Sequence, residues 1–405
     1  MSVAQDEPGI RARHSPIEVF FVALRLGLTS FGGPVAHLGY FHNEYVQRRR
    51  WLSEETYSEV VALSQALPGP ASSQVGMSVG LLRAGYLGGL LAWLGFTLPS
   101  ALALMAFGYG VSEIGNVEDE AWLHGLKLAA VAIVALAVWS MARSLAPDKE
   151  RATIAILAAV VVLSWETALA QVVVIAVAGV IGRQLFRSTV TPTVSHVASP
   201  VGRNVAMAAW VVFFALLGGL PLVAALADSQ ALDLFDAFYR SGSLVFGGGH
   251  VVLPLLEREV VSPGWVSQDD FLAGYGAAQA VPGPLLTFSS YLGTVVGPEP
   301  NGLVGATLAL GAIFLPSFLL IAGGMPIWGL LRSRPAFQSA LRGINAAVVG
   351  LLVAALYNPV WTSGVLDEDD FAIAITAFGL LAFWKLPPWL VVVFAAVAAE
   401  AVAAL

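Results

Sequence analysis

The chain has 405 residues, of which 57% are hydrophobic and only 12% are Asp, Glu, Lys or Arg, whereas soluble globular proteins carry about 25% charged residues. This composition argues against a water-soluble enzyme and predicts an all-α polytopic membrane protein. The net charge of −7 argues against a nucleic-acid partner. Because the chain has no cysteine and only six scattered histidines, disulfides and thiolate metal sites are excluded, and neither a metal site nor a cofactor is expected.

Thirteen apolar runs follow one another along the chain, judged against the roughly 20 residues that a helix needs to cross a bilayer. Residues 1–16 lack the pattern of a cleaved signal and are interpreted as a retained N-terminal tail. The runs lie near 17–33, 56–82, 86–112, 124–146, 152–165, 168–186, 204–227, 234–254, 268–296, 302–330, 341–358, 370–384 and 388–405.

Four runs are interrupted by glycine and proline, which break a helix because proline lacks an amide donor and glycine is a poor helix former. We therefore expect broken or re-entrant helices at these points. The interruptions are Phe31-Gly32-Gly33-Pro34, Pro68-Gly69-Pro70, Phe246-Gly247-Gly248-Gly249 and Pro282-Gly283-Pro284.

The interruptions belong to an internal duplication, in which motifs recur at a nearly constant offset in residue number. Arg25 and Gly27 recur as Arg240 and Gly242. Trp51, Gln65 and the first Pro-Gly-Pro recur as Trp265, Gln279 and the second one, and Ile154-Ala155-Ile156 recurs as Ile373-Ala374-Ile375. The pattern predicts a first transporter repeat at 17–186, a linker at 187–233 that contains a connecting helix at 204–227, and a second repeat at 234–405.

The distribution of Lys and Arg predicts the orientation of the two repeats, since short cytoplasmic loops collect these residues. With a cytoplasmic N-terminus and re-entrant interrupted segments, sixteen cations fall inside and only Arg258 falls in an outer loop. The single helix at 204–227 then turns the second copy over. We expect two inverted-topology repeats and a C-terminus outside the cytoplasm.

Inverted repeats with interrupted helices are typical of secondary transporters, whose substrate site lies where the interruptions meet near the bilayer midplane. A half-helix that begins at mid-depth offers free amides and a positive dipole end to an anion. The candidate substrate-binding residues on these segments are Gly32, Gly33, Gly247, Gly248, Pro68, Gly69, Pro70, Ser72, Ser73, Pro282, Gly283, Pro284 and Thr287.

Arg25 and Arg240 are the candidate charges of this site, because two guanidinium groups match a dianion and their planar forks suit oxyanions. A guanidinium near the bilayer centre costs on the order of 3 kcal/mol and needs a partner or a water-filled cavity. The alternative is that Arg25 reaches the cytoplasmic surface or pairs with Glu18 or Glu44. Its recurrence as Arg240 favours the binding role.

The other polar candidates have equally ordinary alternatives. Gln65 and Gln279 precede the Pro-Gly-Pro turns and either bind an oxyanion or satisfy carbonyls that the prolines free. His37 and His250 follow the Gly-Gly breaks and are candidates for proton coupling, although an interfacial histidine is the simpler interpretation. Glu59, which Ala273 replaces in the second copy, is the asymmetric coupling candidate, or it lies at a solvated helix end.

Recurring motif strings lie in both halves of the chain. The first half contains Leu26 to Phe41, Arg49-Arg50-Trp51-Leu52, Ala62 to Gly76, and Gly95-Phe96-Thr97-Leu98-Pro99-Ser100. The second half contains Phe246 to His250, Gln279 to Pro284, and Phe314-Leu315-Pro316-Ser317. These stretches resemble the chromate ion transporter family, long-chain two-domain type. The resemblance implies antiparallel halves that export chromate across the bacterial inner membrane and confer chromate resistance.

Several alternatives stay open at this stage. A sulfate or other oxyanion carrier fits equally, because chromate and sulfate are tetrahedral dianions of similar size. An intramembrane reductase would need a redox group, and no haem or flavin motif is present, so an enzyme is not expected. The expected partners are the oxyanion and the lipid bilayer, while a structural membrane scaffold and a homodimer are left open.

Overall fold

The computed structural model describes residues 15–114, 120–165, 167–186, 199–246 and 249–404, and within these ranges every regular element is helical. The first seven helices are α1 (Pro16–Thr29), α2 (Gly33–Phe41), α3 (Glu54–Ala66), α4 (Ala71–Ile114), α5 (Ala121–Leu145), α6 (Lys149–Ser164) and α7 (Ala168–Leu185). The remaining helices are α8 (Arg203–Ala227), α9 (Gln230–Leu244), α10 (Val252–Val260), α11 (Gln268–Ala280), α12 (Phe288–Val295), α13 (Gly302–Gly324), α14 (Trp328–Arg332), α15 (Pro335–Ala355), α16 (Thr362–Gly364), α17 (Glu368–Ala382) and α18 (Pro388–Ala403).

Five of the described helical segments are long and apolar enough to cross a membrane, and three shorter apolar helices accompany them. The prediction of an all-α integral membrane protein is therefore confirmed, whereas the number of thirteen segments stays a prediction. The five segments are Ala71–Glu113, Ala121–Leu145, Arg203–Ala227, Gly302–Arg332 and Pro335–Gly364.

The helices end where glycine and proline predict that they end. α1 stops at Thr29 and α2 starts at Gly33, after Gly32 in the left-handed region. α3 stops at Ala66, and α4 begins beyond Pro68-Gly69-Pro70. One boundary differs from the expectation, because the runs at 56–82 and 86–112 meet at a sharp kink inside α4. The kink lies at Ala84 and Gly85, where glycine permits a φ of +68°.

The two short helices that precede the Pro-Gly-Pro breaks begin with the same cap. The Ser53 hydroxyl accepts a hydrogen bond from the Thr56 amide at the start of α3, and the Ser267 hydroxyl accepts one from the Asp270 amide at the start of α11. Serine is a favoured cap because its side chain satisfies an amide that the first turn leaves unpaired. The helix that leads into each break is thus fixed at its outer end.

The two halves exchange their long helices. α5 packs against α11, α17 and α18 of the second half, and α15 packs against α6 and α7 of the first half. Within each half, α1 packs on α4 and α9 packs on α13. Gly364, which follows α15, lies beside Val131 and the Lys127 carbonyl near the start of α5. The C-terminal ends of α5 and α15 therefore point to opposite ends of the molecule.

Polar contacts tie the first turns of α5 to the second half. The Trp122 amide donates to Glu400, and His124 contacts the carboxylate of Asp370 at 2.7 Å. Lys127, which is 5% exposed, donates to the carboxylate of Asp269 at 2.6 Å. Lys127 is buried and the Asp269 side chain is 22% exposed, so removal of either member leaves the other as a charge that is partly shielded from water and has lost its partner.

Replacing Lys127 with Met tests this link. Lys127→Met leaves the Asp269 carboxylate without its donor, so we expect the free energy of unfolding to fall by about 2 kcal/mol or more. The fall is measured as a lower midpoint of thermal unfolding in detergent. The double variant Lys127→Met, Asp269→Asn restores part of the loss because no charge is left unpaired. The exposed Lys149→Met serves as the control, and an equal loss in both lysine variants would contradict the account.

Candidate functional site

The interruptions of the two halves meet through backbone hydrogen bonds. The Gly69 amide donates to the Val245 carbonyl at 2.6 Å, and the Gly283 amide donates to the Ser30 carbonyl at 3.0 Å. In each case the Pro-Gly-Pro turn of one half bonds to the chain just beyond the first helix of the other half. Gly283 corresponds to Gly69, and Val245 to Ser30, at the offset that relates the two copies. We name this pair of bonds the crosswise junction.

Both junction glycines have a backbone that other residues rarely adopt. The φ angle is +123° at Gly69 and +101° at Gly283. A Cβ atom at Gly69 would lie 2.8 Å from the Ser317 hydroxyl, and one at Gly283 would lie 2.9 Å from the Ser100 hydroxyl. The serine that follows the proline inside α4 or α13 thus packs against the turn of the opposite half. Glycine is required at these turns by conformation and by space.

A cavity of about 280 Å³ lies beside the Gly283 side of the junction. Its walls are the first break, the middle and C-terminal parts of α5, the second Pro-Gly-Pro turn, and the ends of α17 and α18. We name it the larger cavity, in comparison with a cavity of about 110 Å³ at the C-terminal end of α15 that is described below. Its lining residues are Ser30, Gly32, Gly33, His37, Ile133, Leu136, Ala137, Ser140, Met141, His250, Ala278, Gln279, Val281, Gly283, Leu285, Leu381 and Pro388.

Three polar atoms on the wall of this cavity are buried and have no partner within strict hydrogen-bond geometry, although the His37 ring lies near the Ser30 backbone and the Gln279 side chain lies near the Tyr275 hydroxyl. They are the Ser30 hydroxyl, Nδ1 of His37 and the Nε2 amide nitrogen of Gln279. Ser30 is fully buried and His37 is 2% exposed. Most buried polar atoms in native proteins have a partner, so an unpartnered group needs an explanation such as a ligand or a water molecule. These three groups make this wall of the larger cavity polar.

His250 lies on the same wall but is already held, because its Nδ1 atom is 3.0 Å from the Tyr275 hydroxyl. Near the other half of the junction, the Ser73 hydroxyl and Oε1 of Gln74 are likewise buried without partners. The amide nitrogen of Gln74 donates to the Pro68 carbonyl at 2.6 Å. The junction is therefore polar on both sides, although the larger cavity reaches only one of them.

The structure does not bring Arg25 and Arg240 into the larger cavity. Arg25 has a side chain that is 60% exposed and lies 3.9 Å from the Glu44 carboxylate. Arg240 donates to Asp236 at 2.6 Å and to Glu259 at 3.0 Å. Glu44 and Glu259 are themselves counterparts, at the same offset as the two arginines. The charge of each arginine is opposed by a carboxylate, which for Arg25 is the alternative that the sequence left open.

The remaining predicted residues fall into four groups. Gln65 is exposed and Glu59 is paired with Arg332 at 3.3 Å, so both lie away from the larger cavity. Gly247 and Gly248 lie outside the described residues. Six predicted residues line the cavity, whereas the others form or flank the Pro-Gly-Pro turns. The residues that line the cavity are Gly32, Gly33, His37, His250, Gln279 and Gly283. The residues that form or flank the turns are Pro68, Gly69, Pro70, Ser72, Ser73, Pro282, Pro284 and Thr287. The Thr287 hydroxyl donates to the Pro284 carbonyl at 2.7 Å.

Sequence reasoning missed Ser30, Gln74 and the two serines that pack on the junction glycines. Ser100 and Ser317 follow proline in the recurring string Leu-Pro-Ser, so the duplication itself carries the signal that finds them. Nothing in the sequence distinguishes Ser30 from other serines. Among the residues that the structure describes, no three His, Asp or Glu side chains group to hold a metal ion.

A separate cluster of charges lies around Glu44, outside the candidate membrane spans. Arg48 and Arg49 donate to its carboxylate at 2.9 and 2.7 Å, and Arg49 also donates to Glu18 at 2.8 Å. Arg49 and Arg83 both lie over the ring of Trp51, at 5.2 and 5.1 Å. Burial raises the pKa of the Glu44 carboxyl, but the hydrogen bonds from Arg49 and Arg48 outweigh it and hold that pKa below its ordinary value.

These geometric features define the class of protein first: a polytopic helical membrane protein with a polar cavity at the meeting point of interrupted helices. The chain belongs to the chromate transporter family, whose model matches residues 17–183 and 232–399. No solved structure matches the chain significantly.

Three named relatives resemble this chain over most of their length. It is 29% identical to a probable chromate transport protein of Synechococcus elongatus, over 93% of this chain and 92% of the relative. It is also 29% identical to the chromate transport protein of Pseudomonas aeruginosa, over 91% and 87%. The chromate transport protein of Cupriavidus metallidurans is 28% identical, over 92% and 90%.

The junction predicts a specific effect of a methyl group at Gly283. Gly283→Ala adds backbone strain of about 1–3 kcal/mol and a clash with Ser100, so we expect a lower midpoint of thermal unfolding. The double variant Gly283→Ala, Ser100→Ala relieves the clash and recovers part of the loss. Gly264→Ala is the matched control, because Gly264 has a φ of +77° but open space around a Cβ. Equal losses at Gly283 and Gly264 would contradict the packing of Ser100 on the turn.

The Glu44 cluster predicts a dependence of stability on pH. The pKa of Glu44 in the folded protein lies below the ordinary value of 4.5. The ionised carboxylate therefore stabilises the fold fully at pH values above 4.5, and this stabilisation is lost as the pH falls through the folded pKa. Glu44→Gln should therefore unfold at a lower temperature than the parent at neutral pH, and the gap should close on acidification. The exposed Glu113→Gln provides the control; a gap that does not change with pH would refute the assignment.

Proposed function

We infer that this protein is a secondary transporter that exports chromate and binds the oxyanion in the larger cavity. The observation that carries the proposal is the set of three unpartnered polar groups, Ser30, His37 and Gln279, on the wall of a cavity at the crosswise junction. Membership of the chromate transporter family and the names of the relatives support chromate as the substrate class.

Neutral hydrogen-bond donors are the chemistry that we assign to the site. The Ser30 hydroxyl and the Gln279 amide each have a proton to donate, and His37 adds a ring nitrogen. The volume of about 280 Å³ admits a tetrahedral oxyanion together with several waters, since one water occupies about 30 Å³. A site without a fixed countercharge binds a dianion loosely enough to let it leave, which suits a transporter.

Arg25 and Arg240 act outside this site in the proposal. Each guanidinium already faces a carboxylate, so its net attraction for an anion is reduced. We assign them to holding Glu44 and Glu259, and with them the segments that follow the first break of each half. Their recurrence then reflects a structural pair kept by both copies.

The proposed membrane arrangement is two inverted repeats, at 17–186 and 234–405, with α8 as the connecting helix. The two separate matches of one family model support the duplication, and the exchange of α5 and α15 between the halves fits it. With a cytoplasmic N-terminus, the larger cavity opens toward the cytoplasm, near Arg143 in the last turn of α5 and Lys385 just after α17. These cations favour entry of an anion from that side.

Export needs no coupled proton in this proposal. Moving a dianion out of a negative-inside cell gains about 4.6 kcal/mol per 100 mV, because each charge contributes about 2.3 kcal/mol. A carrier in the bacterial inner membrane would thus drain chromate from the cytoplasm and confer resistance. Import of sulfate by the same protein would require coupling to a second ion.

Chromate flux in vesicles of defined orientation tests the site. Gln279→Glu puts a carboxylate beside the proposed dianion with almost no change of shape, and we expect chromate flux to fall about tenfold or more, since a like-charge contact there exceeds about 1.4 kcal/mol. Ser30→Ala should lower it less, because it removes one neutral donor. The control is Gln184→Glu, at an exposed position of α7. Parental flux in Gln279→Glu would rule out the larger cavity as the binding site.

Competition in the same vesicles separates the substrate classes. Added sulfate that abolishes chromate flux would assign the site to tetrahedral dianions in general, and unchanged flux would assign it to chromate. No substrate-dependent flux at all in the folded parent would overturn the transport proposal and favour a structural role.

A further inference from the structure

A second, smaller cavity of about 110 Å³ lies at the C-terminal end of α15, between α6, α7 and α10. We name it the smaller cavity. Polar and apolar groups share its wall, and the residues that matter here are Val162, Gln171, Arg258, Leu351, Ala355 and Asn358. Because the C-terminal ends of α5 and α15 point to opposite ends of the molecule, the two cavities lie toward opposite ends as well.

The two cavities are counterparts in the duplicated chain. On α5 the larger cavity is lined by Ile133, Leu136, Ala137 and Ser140. On α15 and the turn after it, the smaller cavity is lined by Leu351, Ala354, Ala355 and Asn358, which match those four residues one by one at a single constant offset. The shared spacing of i, i+3 and i+4 places three residues of each set on one helix face, and Asn358 lies in the irregular turn after α15.

The neighbouring wall repeats as well. Leu381 on α17 lines the larger cavity and Val162 on α6 lines the smaller one. The two residues correspond at the offset that relates Ile154-Ala155-Ile156 on α6 to Ile373-Ala374-Ile375 on α17. Corresponding residues of duplicated helices therefore line both cavities, and each cavity lies between the two halves.

The cavities differ in how far they reach. The larger cavity extends to Gln279 and Gly283 at the junction. The corresponding residues of the first half, Gln65 and Gly69, do not line the smaller cavity. The larger cavity therefore reaches the crosswise junction, whereas the smaller cavity does not.

Arg258 forms hydrogen bonds from α10 to the opposite wall of the smaller cavity. One terminal nitrogen of its guanidinium donates to the Thr167 carbonyl at 2.7 Å, and the other donates to the Val162 carbonyl at 3.1 Å. The Val162 carbonyl lies in the last turn of α6, where the free carbonyls of a helix C-terminus favour a cation, and the Thr167 carbonyl lies just before the start of α7. Gln171 adds a second tie from α7, since its amide donates to the Pro254 carbonyl at 3.1 Å.

The larger cavity has no arginine among the described residues that line it. Asn43 occupies the position that corresponds to Arg258, at the offset that relates Glu44 to Glu259, and it does not line the larger cavity. In the smaller cavity, Arg258 of α10 therefore bonds the carbonyls of Val162 and Thr167 at once, whereas no arginine lies among the described residues that line the larger cavity.

We propose that Arg258 is a latch on the smaller cavity. Its two carbonyl bonds keep this cavity closed to the crosswise junction, and their release opens the cavity to the junction so that the oxyanion can leave. This proposal rests on the transport function proposed above. On release, the guanidinium gives up these two carbonyl acceptors, and its positive charge lies beside the exit path. An arginine is suited to the task because its planar fork bonds two acceptors at once.

Cysteine labelling tests the latch without any substrate, since the parent chain has no cysteine. Ala355→Cys reports on the smaller cavity and Ala137→Cys reports on its counterpart in the larger one. A membrane-impermeant maleimide is added from one side and then from the other. We expect Arg258→Ala to raise the labelling rate at position 355 at least about tenfold and to lower the rate at position 137. The reason is that a state with the smaller cavity open becomes more populated at the expense of the state with the larger cavity open. The control is Arg203→Ala at the exposed start of α8.

Unchanged labelling at both positions in Arg258→Ala would overturn the proposal. A variant that fails to fold would label fast at both positions, and then Arg258→Lys decides, because it keeps the charge but loses the two-pronged bond. It must raise labelling at 355 while lowering it at 137, and parental labelling in this variant also overturns the latch. A labelling shift in a protein that carries no chromate would retain the latch and reject the proposed substrate, so the two failures are distinguishable.

Discussion

Backbone polar groups in a membrane protein must find partners inside the protein, because hydrocarbon offers none. The interruptions at Pro68-Gly69-Pro70 and Pro282-Gly283-Pro284 break the helical bonds that would supply them. The structure satisfies the Gly69 and Gly283 amides with carbonyls of the opposite half. Neither half can complete its own turn, so the two halves act as one unit and the interruptions are held against each other.

The same constraint explains the character of the larger cavity. The turns consume backbone donors in the junction, and what remains for a ligand are the side chains around it, of which Ser30, His37 and Gln279 have unpartnered atoms. The full charges lie elsewhere, on Arg25 and Arg240, each against a carboxylate. Among the described residues, the larger cavity is lined by polar groups and by no Asp, Glu, Lys or Arg, and these ion pairs lie away from it.

The helix ends could be predicted from the sequence because glycine and proline mark them, and the nearly constant offset between recurring motifs predicts two copies of one unit. The same pattern predicts that the interruptions meet, and Gly32, His37, Gln279 and Gly283 all line the larger cavity. The position of Arg25 does not follow from that pattern, since a residue's depth along an apolar run says nothing about which carboxylate a neighbouring segment brings to it. The cavity faces of α5 and α15 likewise emerge only once packing shows which side of each helix is turned inward.

The most direct test is the position of bound chromate, located by the anomalous X-ray scattering of its chromium atom in crystals of the protein. Density within hydrogen-bond reach of Ser30, His37 and Gln279 is the result that the crosswise junction predicts. Chromium density beside Arg25 and Glu44, or beside Arg240 and Glu259, with an empty larger cavity would contradict it.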